Sequence, residues 1–238
     1  MSDTVRIALV SDIHYTHQPM NPVAKLSGAQ VLEHAVNVIN QSIRPDATLI
    51  LGDLLNDPDL PDAPDLLKEL ATIIDRLDSP SIVIPGNHDL PPDLFYQIIP
   101  TPPDVLDING TRIVWFIDPE APDYHAQRTD ANFARMRQVC CEFAGPIVAM
   151  QHVPVVPPAA KRARFNYTNV DDIVNLATEL DITLHVAGHL HPGVELTQFN
   201  RGWYYVVKAL REPPYNFAVA TVSGGHVDIE EHTLAVDE

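Results

Sequence analysis

Positive charge is scarce in this chain beside negative charge. Its 238 residues contain 15 Lys+Arg against 32 Asp+Glu, a formal net charge of −17. A surface of that sign repels long polyanions, so polymeric nucleic acid and anionic membranes are not expected as electrostatic partners. Cysteine is nearly absent: Cys140 and Cys141 are adjacent, too constrained for an ordinary disulfide with each other. No run of about 18 apolar residues occurs, and the N-terminus has no basic segment followed by an apolar one. These absences lead us to expect a reduced, cytoplasmic setting without a membrane span.

Apolar residues make up 45% of the chain, enough for a sizeable core, and no linker or internal repeat divides it, so residues 1–238 are read as one domain. Short apolar runs at 5–10, 47–51 and 81–84 alternate with helix-spaced segments: Leu32, Ala35, Val36, Ile39 and Ile43, then Leu66, Leu70, Ile73, Ile74 and Leu77. The rhythm is βαβαβ. Residues 91–110 are rich in Pro and Asp and read as irregular, with one short helix. Strands follow at 112–117, 146–150 and 183–187, interleaved with helices over 129–143 and 169–180. Residues 193–233 alternate at strand period, with Gly202 and Gly224-Gly225 marking turns, and read as antiparallel strands completing a sheet.

The 11 histidines stand out beside so few cations, and several of them end strands. Asp12 and His14 follow the first, Asp53 the second, Asn87 and His88 the third, His152 a later one, and His189 and His191 the last parallel one. In open α/β sheets the ligand crevice lies beyond the carboxyl ends of the strands, so these side chains should converge. Imidazole, carboxylate and amide donors suit Mn, Fe or Zn and disfavour all-oxygen Ca²⁺ or Mg²⁺ shells, and with no thiolate a zinc finger is excluded. The paired spacings Asp12/His14 and His189/His191 support two metal ions, with Asp53 the natural bridge.

The blocks Asp12-Ile13-His14, Gly52-Asp53, Gly86-Asn87-His88-Asp89, His152 and Gly188-His189-Leu190-His191 together resemble the five ordered blocks of the calcineurin-like metallophosphoesterases. The resemblance implies an α/β fold, a four-layer αββα sandwich of two mixed sheets flanked by helices. It implies that Asp12, His14, Asp53 and His191 hold one divalent or trivalent ion, that Asp53, Asn87, His152 and His189 hold the other, and that His88 stands over the substrate as catalytic acid. The expected reaction is in-line attack on phosphorus by hydroxide formed between the two ions. Gly86 and Gly188 would let the backbone turn and approach the metals closely.

Departures from better-known relatives refine this. The protein Ser/Thr phosphatases continue the second block as GDxxDRG, whereas here it reads Gly52-Asp53-Leu54-Leu55-Asn56-Asp57-Pro58, with no phosphate-clamping Arg. Asn56 is left as the side chain that could hydrogen-bond His88. The chain is most similar to the small bacterial branch that includes cyclic-nucleotide and other phosphodiesterases, which implies a small nucleotide-like phosphodiester as substrate. The alternatives are a phosphomonoesterase acting on a small metabolite, and a non-catalytic scaffold that keeps the fold. His17 and Arg164 are the tentative substrate contacts, Arg164 belonging with Lys161 and Arg162 to the one dense basic cluster. His185, in mid-strand, is read as a hydrogen-bonded core residue.

Overall fold

The computed structural model of the chain describes residues 4–17, 26–161 and 163–235. Strand β1 (Thr4–Val10) leads into α1 (Gly28–Val38), which continues as a π-helical turn to Ile43. Ser27 caps α1 by accepting from the Gln30 N–H while the Gln30 side chain accepts from the Ser27 N–H. There follow β2 (Ala47–Ile50), α2 (Ala63–Ile74), β3 (Ser81–Val83) and the one-turn α3 (Pro92–Phe95). Next come β4 (Val105–Ile108), β5 (Thr111–Phe116), the two-residue strands β6 (Glu120–Ala121) and β7 (His125–Ala126), α4 (Asp130–Cys140) and β8 (Ile147–Gln151). The chain closes with α5 (Val170–Glu179), β9 (Leu184–Ala187), β10 (Val194–Phe199), β11 (Gly202–Val206), β12 (Asn216–Ser223) and β13 (His226–Thr233).

Two mixed sheets result, one ordered β13-β12-β1-β2-β3 and the other β10-β11-β9-β8-β5-β4. Their facing sides form one core: Ile7, Leu9 and Leu49 from the first sheet meet Val148, Met150 and Val186 from the second. Strands buried on both faces are near-continuous in apolar residues, as β1, β2 and β8 are. The outer face of the first sheet is covered by α1 and α2 through Leu32, Val36, Leu66 and Leu70. On the second sheet, Met136 and Cys140 of α4 and Leu176 and Ala177 of α5 do the same. The layers are therefore α, β, β and α, as the resemblance implied. No helix among the described residues is long and apolar enough to cross a membrane.

Three local expectations need correction. Residues 105–108 are not irregular but pair with β5 as an edge strand, the Arg112 guanidinium holding Asp107 at 2.7 Å across the hairpin. A four-residue strand with a charge inside it carries too little periodicity to be read. The C-terminal strands do not complete one sheet: β10 and β11 extend the second, while β12 and β13 return to β1 in the first. Alternation identifies strands but not their partners. Among the described residues His185 has no hydrogen-bond partner at either ring nitrogen; its ring stacks at 5.1 Å and 4° on Tyr204, its neighbour on β11.

Burial, with the nearby charge of Arg128, pushes the His185 pKa down to about 3. The unfolded chain binds this proton near pH 6.5 and the folded one does not, so His185 lowers stability progressively as pH falls from about 6.5 to 3. His185→Phe keeps the ring stack and removes the two unpaired nitrogens. Its urea midpoint should match or exceed wild type at pH 7.5, with an advantage that widens towards pH 4; a constant difference would refute the assignment.

Candidate metal centre

The donor groups meet because β1, β2 and β3 run parallel in one sheet, β8 and β9 run parallel in the other, and each chain turns just past its last ladder residue. Four of these turning residues adopt left-handed backbone angles without being glycine: Asp12 (φ 55), His14 (φ 47), Asp53 (φ 55) and His189 (φ 67). Such positions cost energy and persist only where the surroundings hold them. Here the loops lock together, with the N–H groups of Ile13 and His14 both donating to the Asp53 carbonyl at 2.8 and 2.9 Å.

Two groups of donors lie side by side, Asp12, His14 and His191 in one and Asp53, His152 and His189 in the other, and a third, His14, Asp53 and His88, spans them; within each the donor atoms lie no more than 4.8 Å apart. In the first, His14 Nε2 is 3.1 Å from His191 Nε2 and 3.7 Å from Asp12 Oδ1. In the second, His152 Nε2 is 3.2 Å from His189 Nδ1, 3.1 Å from Asn87 Oδ1 and 3.3 Å from Asp53 Oδ2. Donors bound at about 2.1 Å to one ion stand roughly 3.0–3.4 Å apart, so these separations fit a coordination shell. Asp53 Oδ2 is also 3.5 Å from His14 Nε2, which places one oxygen between the groups. Its Oδ1 is engaged elsewhere, accepting the His88 N–H at 2.8 Å.

Asp12, Asp53, His14 and His189 are held in forms that can ligate, whereas His152 carries a proton that a bound ion would have to displace. Burial alone would raise both carboxyls, but the neighbouring histidines outweigh it and hold Asp12 and Asp53 below the usual range. Burial keeps His14 low and, with the His152 charge, takes His189 down to about 4, so both rings are neutral and can donate lone pairs. Burial works against the His152 imidazolium as well, but Asp53 overcomes it and lifts this group to about 9. Ring orientation is set from behind: His152 Nδ1 contacts the Leu51 carbonyl at 2.7 Å, and His189 Nε2 the Tyr124 carbonyl at 3.0 Å, leaving the opposite nitrogens to face inward.

His88 lies beside both groups, its ring 4.8 Å from that of His14. The sequence pointed to the Asn56 side chain as its partner. Instead His88 Nδ1 contacts the Asn56 main-chain carbonyl at 2.7 Å, so the identity of residue 56 is not what orients the ring. His17 is not brought among the donors; 61% exposed, it pairs with Asp62 at 3.0 Å. Arg164 is exposed, with its guanidinium over Phe165, whose ring packs against His189 at 4.9 Å. Lys161 pairs with Glu195, and Arg162 lies outside the described residues.

Two residues, Glu212 and Arg211, escaped the sequence reading, and a third, Asp89, stood in a block without an assigned role. Glu212 Oε1 is 3.0 Å from His191 Nδ1, a carboxylate that holds this ring from behind with Nε2 towards His14. Arg211 is near enough to disfavour the His14 imidazolium, and its buried Nε makes no hydrogen bond to any described residue. Asp89 accepts the N–H groups of Leu54, Leu55 and Gly86 and so clamps the loop after β2 to the loop after β3. Glu212 and Arg211 sit far from any motif in the chain, and only their loop's return to the Ser11-Asp12 backbone reveals them. Gly86 and Gly188 are needed for space: a Cβ would fall 2.2 Å from Asp53 Oδ1 at the first and 1.8 Å from Ser11 Oγ at the second.

Two sheets that deliver carboxylates and imidazoles into adjoining donor groups define a metal-dependent phosphoester hydrolase. The chain belongs to the calcineurin-like phosphoesterases, whose family pattern it matches over residues 5–193. It is 26% identical over 201 residues, 79% of this chain and 74% of the other, to a Synechococcus protein described as "probable cyclic nucleotide phosphodiesterase". Among solved structures it resembles a dimetal phosphatase from Danio rerio, with a TM-score of 0.71 at 14% identity over 97% of this chain and 99% of that one. It also resembles GAP50, described as the anchor in the inner membrane complex of Plasmodium, with a TM-score of 0.60 at 10% identity over 99% of this chain and 90% of that one.

Two substitutions test the arrangement. Glu212→Gln should weaken the affinity for one of two Mn²⁺ equivalents by about tenfold, the low end for a carboxylate behind a ligand because this one is half exposed, and leave the other unchanged in calorimetric titration. Asn56→Ala should keep kcat within about twofold of wild type, because the main-chain carbonyl remains.

Proposed function

We propose that the chain hydrolyses a small, nucleotide-like phosphodiester at this centre. Asp12, His14, Asp53 and His191 would hold one ion and Asp53, Asn87, His152 and His189 the second, each being Mn, Fe or Zn by donor type. The observation that carries the reading is Asp53 Oδ2, within 3.5 Å of His14 Nε2 on one side and 3.3 Å of His152 Nε2 on the other. Bound there, a metal pair supplies a phosphoryl-neutralising charge and an acidified water at neutral pH.

The chain's own groups do the rest. Arg211, its main-chain N–H bonded to the Asp12 carbonyl and its Nε 3.8 Å from Glu212 Oε1, is the cation beside His14 that would bind a non-bridging phosphoryl oxygen. His88, its Nδ1 committed to Asn56, presents Nε2 to protonate the leaving oxygen. The diester preference rests on the likeness to the Synechococcus phosphodiesterase and on the missing phosphate-clamping Arg. GAP50 has this fold and is described as an anchor, so the fold alone does not imply turnover; the complete donor set of this chain supports catalysis. The setting we infer is cytoplasmic.

With Mn²⁺ loaded, the protein should hydrolyse bis(4-nitrophenyl) phosphate faster than 4-nitrophenyl phosphate. A rate ratio below one would leave a phosphomonoesterase, and no turnover of either ester at full metal occupancy would leave a scaffold. His88→Ala should cost about 10²–10⁴-fold in kcat with poor alkoxide leaving groups and much less with 4-nitrophenolate, at unchanged metal content. Arg211→Ala should raise KM about tenfold with kcat less affected.

A further inference from the structure

The crevice is polarised. Arg211 stands on the His14 and His191 side, whereas a cavity of about 540 Å³ opens on the other, bordered by Asn87, His152 and His189. That volume is typical of a small-molecule site and would hold a nucleoside-sized group. Its walls are largely apolar: Leu90, Phe116, Ile117, Val153 and the ring of Tyr167, with five prolines at 58, 85, 91, 92 and 119. Among the described residues no Lys or Arg lines it, and the carboxylates at its edge, Asp59 and Glu120, are exposed. Two further carboxylates are sealed: Asp89 by the N–H groups of Leu54, Leu55 and Gly86, and Asp118 by its side-chain neighbours. The Asp118 oxygens are taken by Arg128 Nε at 3.0 Å, the Tyr167 hydroxyl at 2.9 Å and Asn132 Nδ2 at 2.7 Å, so Asp118 offers nothing to a ligand and the Arg128 charge below it is matched.

Tyr124 stands at the mouth. It is 57% exposed, an uncommon outcome for so large a ring, and both it and Asp123 have φ 61. A bulky residue in left-handed conformation is strained by roughly 1–2 kcal/mol, and an exposed ring recovers none of that through burial. The turn sends the Tyr124 carbonyl to His189 Nε2 and thereby brings the ring to the edge of the metal centre, 6.0 Å from Phe165. His88 does not line the cavity. A diester whose leaving oxygen faces His88 therefore directs its other substituent away from His88 and towards these walls.

Building on the phosphodiesterase reading, we propose that this cavity is the subsite for the retained organic group of the diester, and that it takes an uncharged, flat group of nucleoside or aryl size against Tyr124. With no cation inside and carboxylates at its edge, the subsite rejects a second anion. Substrates carrying a further phosphate or carboxylate on that arm are excluded. A monoester has no arm to place there.

The test holds the leaving group constant. With 4-nitrophenolate leaving, kcat/KM should be on the order of tenfold higher for a 4-nitrophenyl or thymidine 5′-arm than for an ethyl arm. Tyr124→Ala should bring that ratio towards one, and Glu120→Lys should raise kcat/KM several-fold for a carboxyethyl arm, which wild type handles poorly. Independently of turnover, saturation-transfer NMR on metal-free protein should show thymidine bound to wild type and lost in Tyr124→Ala. Equal kcat/KM for all arms in wild type, or a ratio and thymidine binding unchanged in Tyr124→Ala, would overturn the subsite. Absence of diester hydrolysis with thymidine still bound would remove the phosphodiesterase reading instead and leave an apolar ligand site.

Discussion

Two carboxylates, Asp12 and Asp53, are buried to 0% and 2% exposure in the same cleft, and most of the architecture around them answers that constraint. Charged groups removed from water need opposite charge and hydrogen bonds close by, or they take up protons. The supply here is dense. Asp12 accepts from Ser11 Oγ and the His189 N–H, Asp53 from the His88 N–H, and four imidazoles crowd the remaining oxygens. Left-handed turns at four donor residues, glycines that keep Cβ atoms clear of carboxylate oxygens, and the Asp89 clamp all hold that packing in place. A cation pair is the natural complement to such a site, since it neutralises the carboxylates without protonating them.

The same constraint reconciles an acidic protein with an anionic substrate. The net charge of −17 is spread over the surface, while the crevice presents metal-binding donors and Arg211. With cations held by those donors, a small anion could reach a positive focus at short range, whereas a long polyanion would meet the surface first. Proline gains a role as well. Five of the 22 prolines wall the apolar cavity beside the donors, where rings with fixed φ keep the lining shaped before any ligand arrives.

Legibility followed the range of the interactions. Strands β1, β2 and β8 and helices α1, α2 and α5 were readable because each carries its burial pattern within a few residues. The donors were readable because each follows a strand in a short block. Residues whose role depends on a distant partner were not. Glu212 is 21 positions from His191, Asn56 holds His88 through a backbone oxygen that every residue possesses, and His185 found a ring on a neighbouring strand in place of the hydrogen bond expected of a buried histidine.

Through the resemblance of its ordered blocks the sequence implied the layered class of the fold; by itself it determined the strand–helix alternation and the strand ends where carboxylate, imidazole and amide side chains gather. Those are properties of local pattern and composition, and they survive without coordinates. Only the tertiary structure decided that Asp53 Oδ2 sits between two groups of histidines, that Arg211 occupies one side of the crevice and a largely apolar cavity the other, and that β10 to β13 divide between the sheets. The physical reason is that coordination and strand pairing are made across long sequence separations. Each residue's own chemistry allows many partners, and the packing of two sheets face to face selects one.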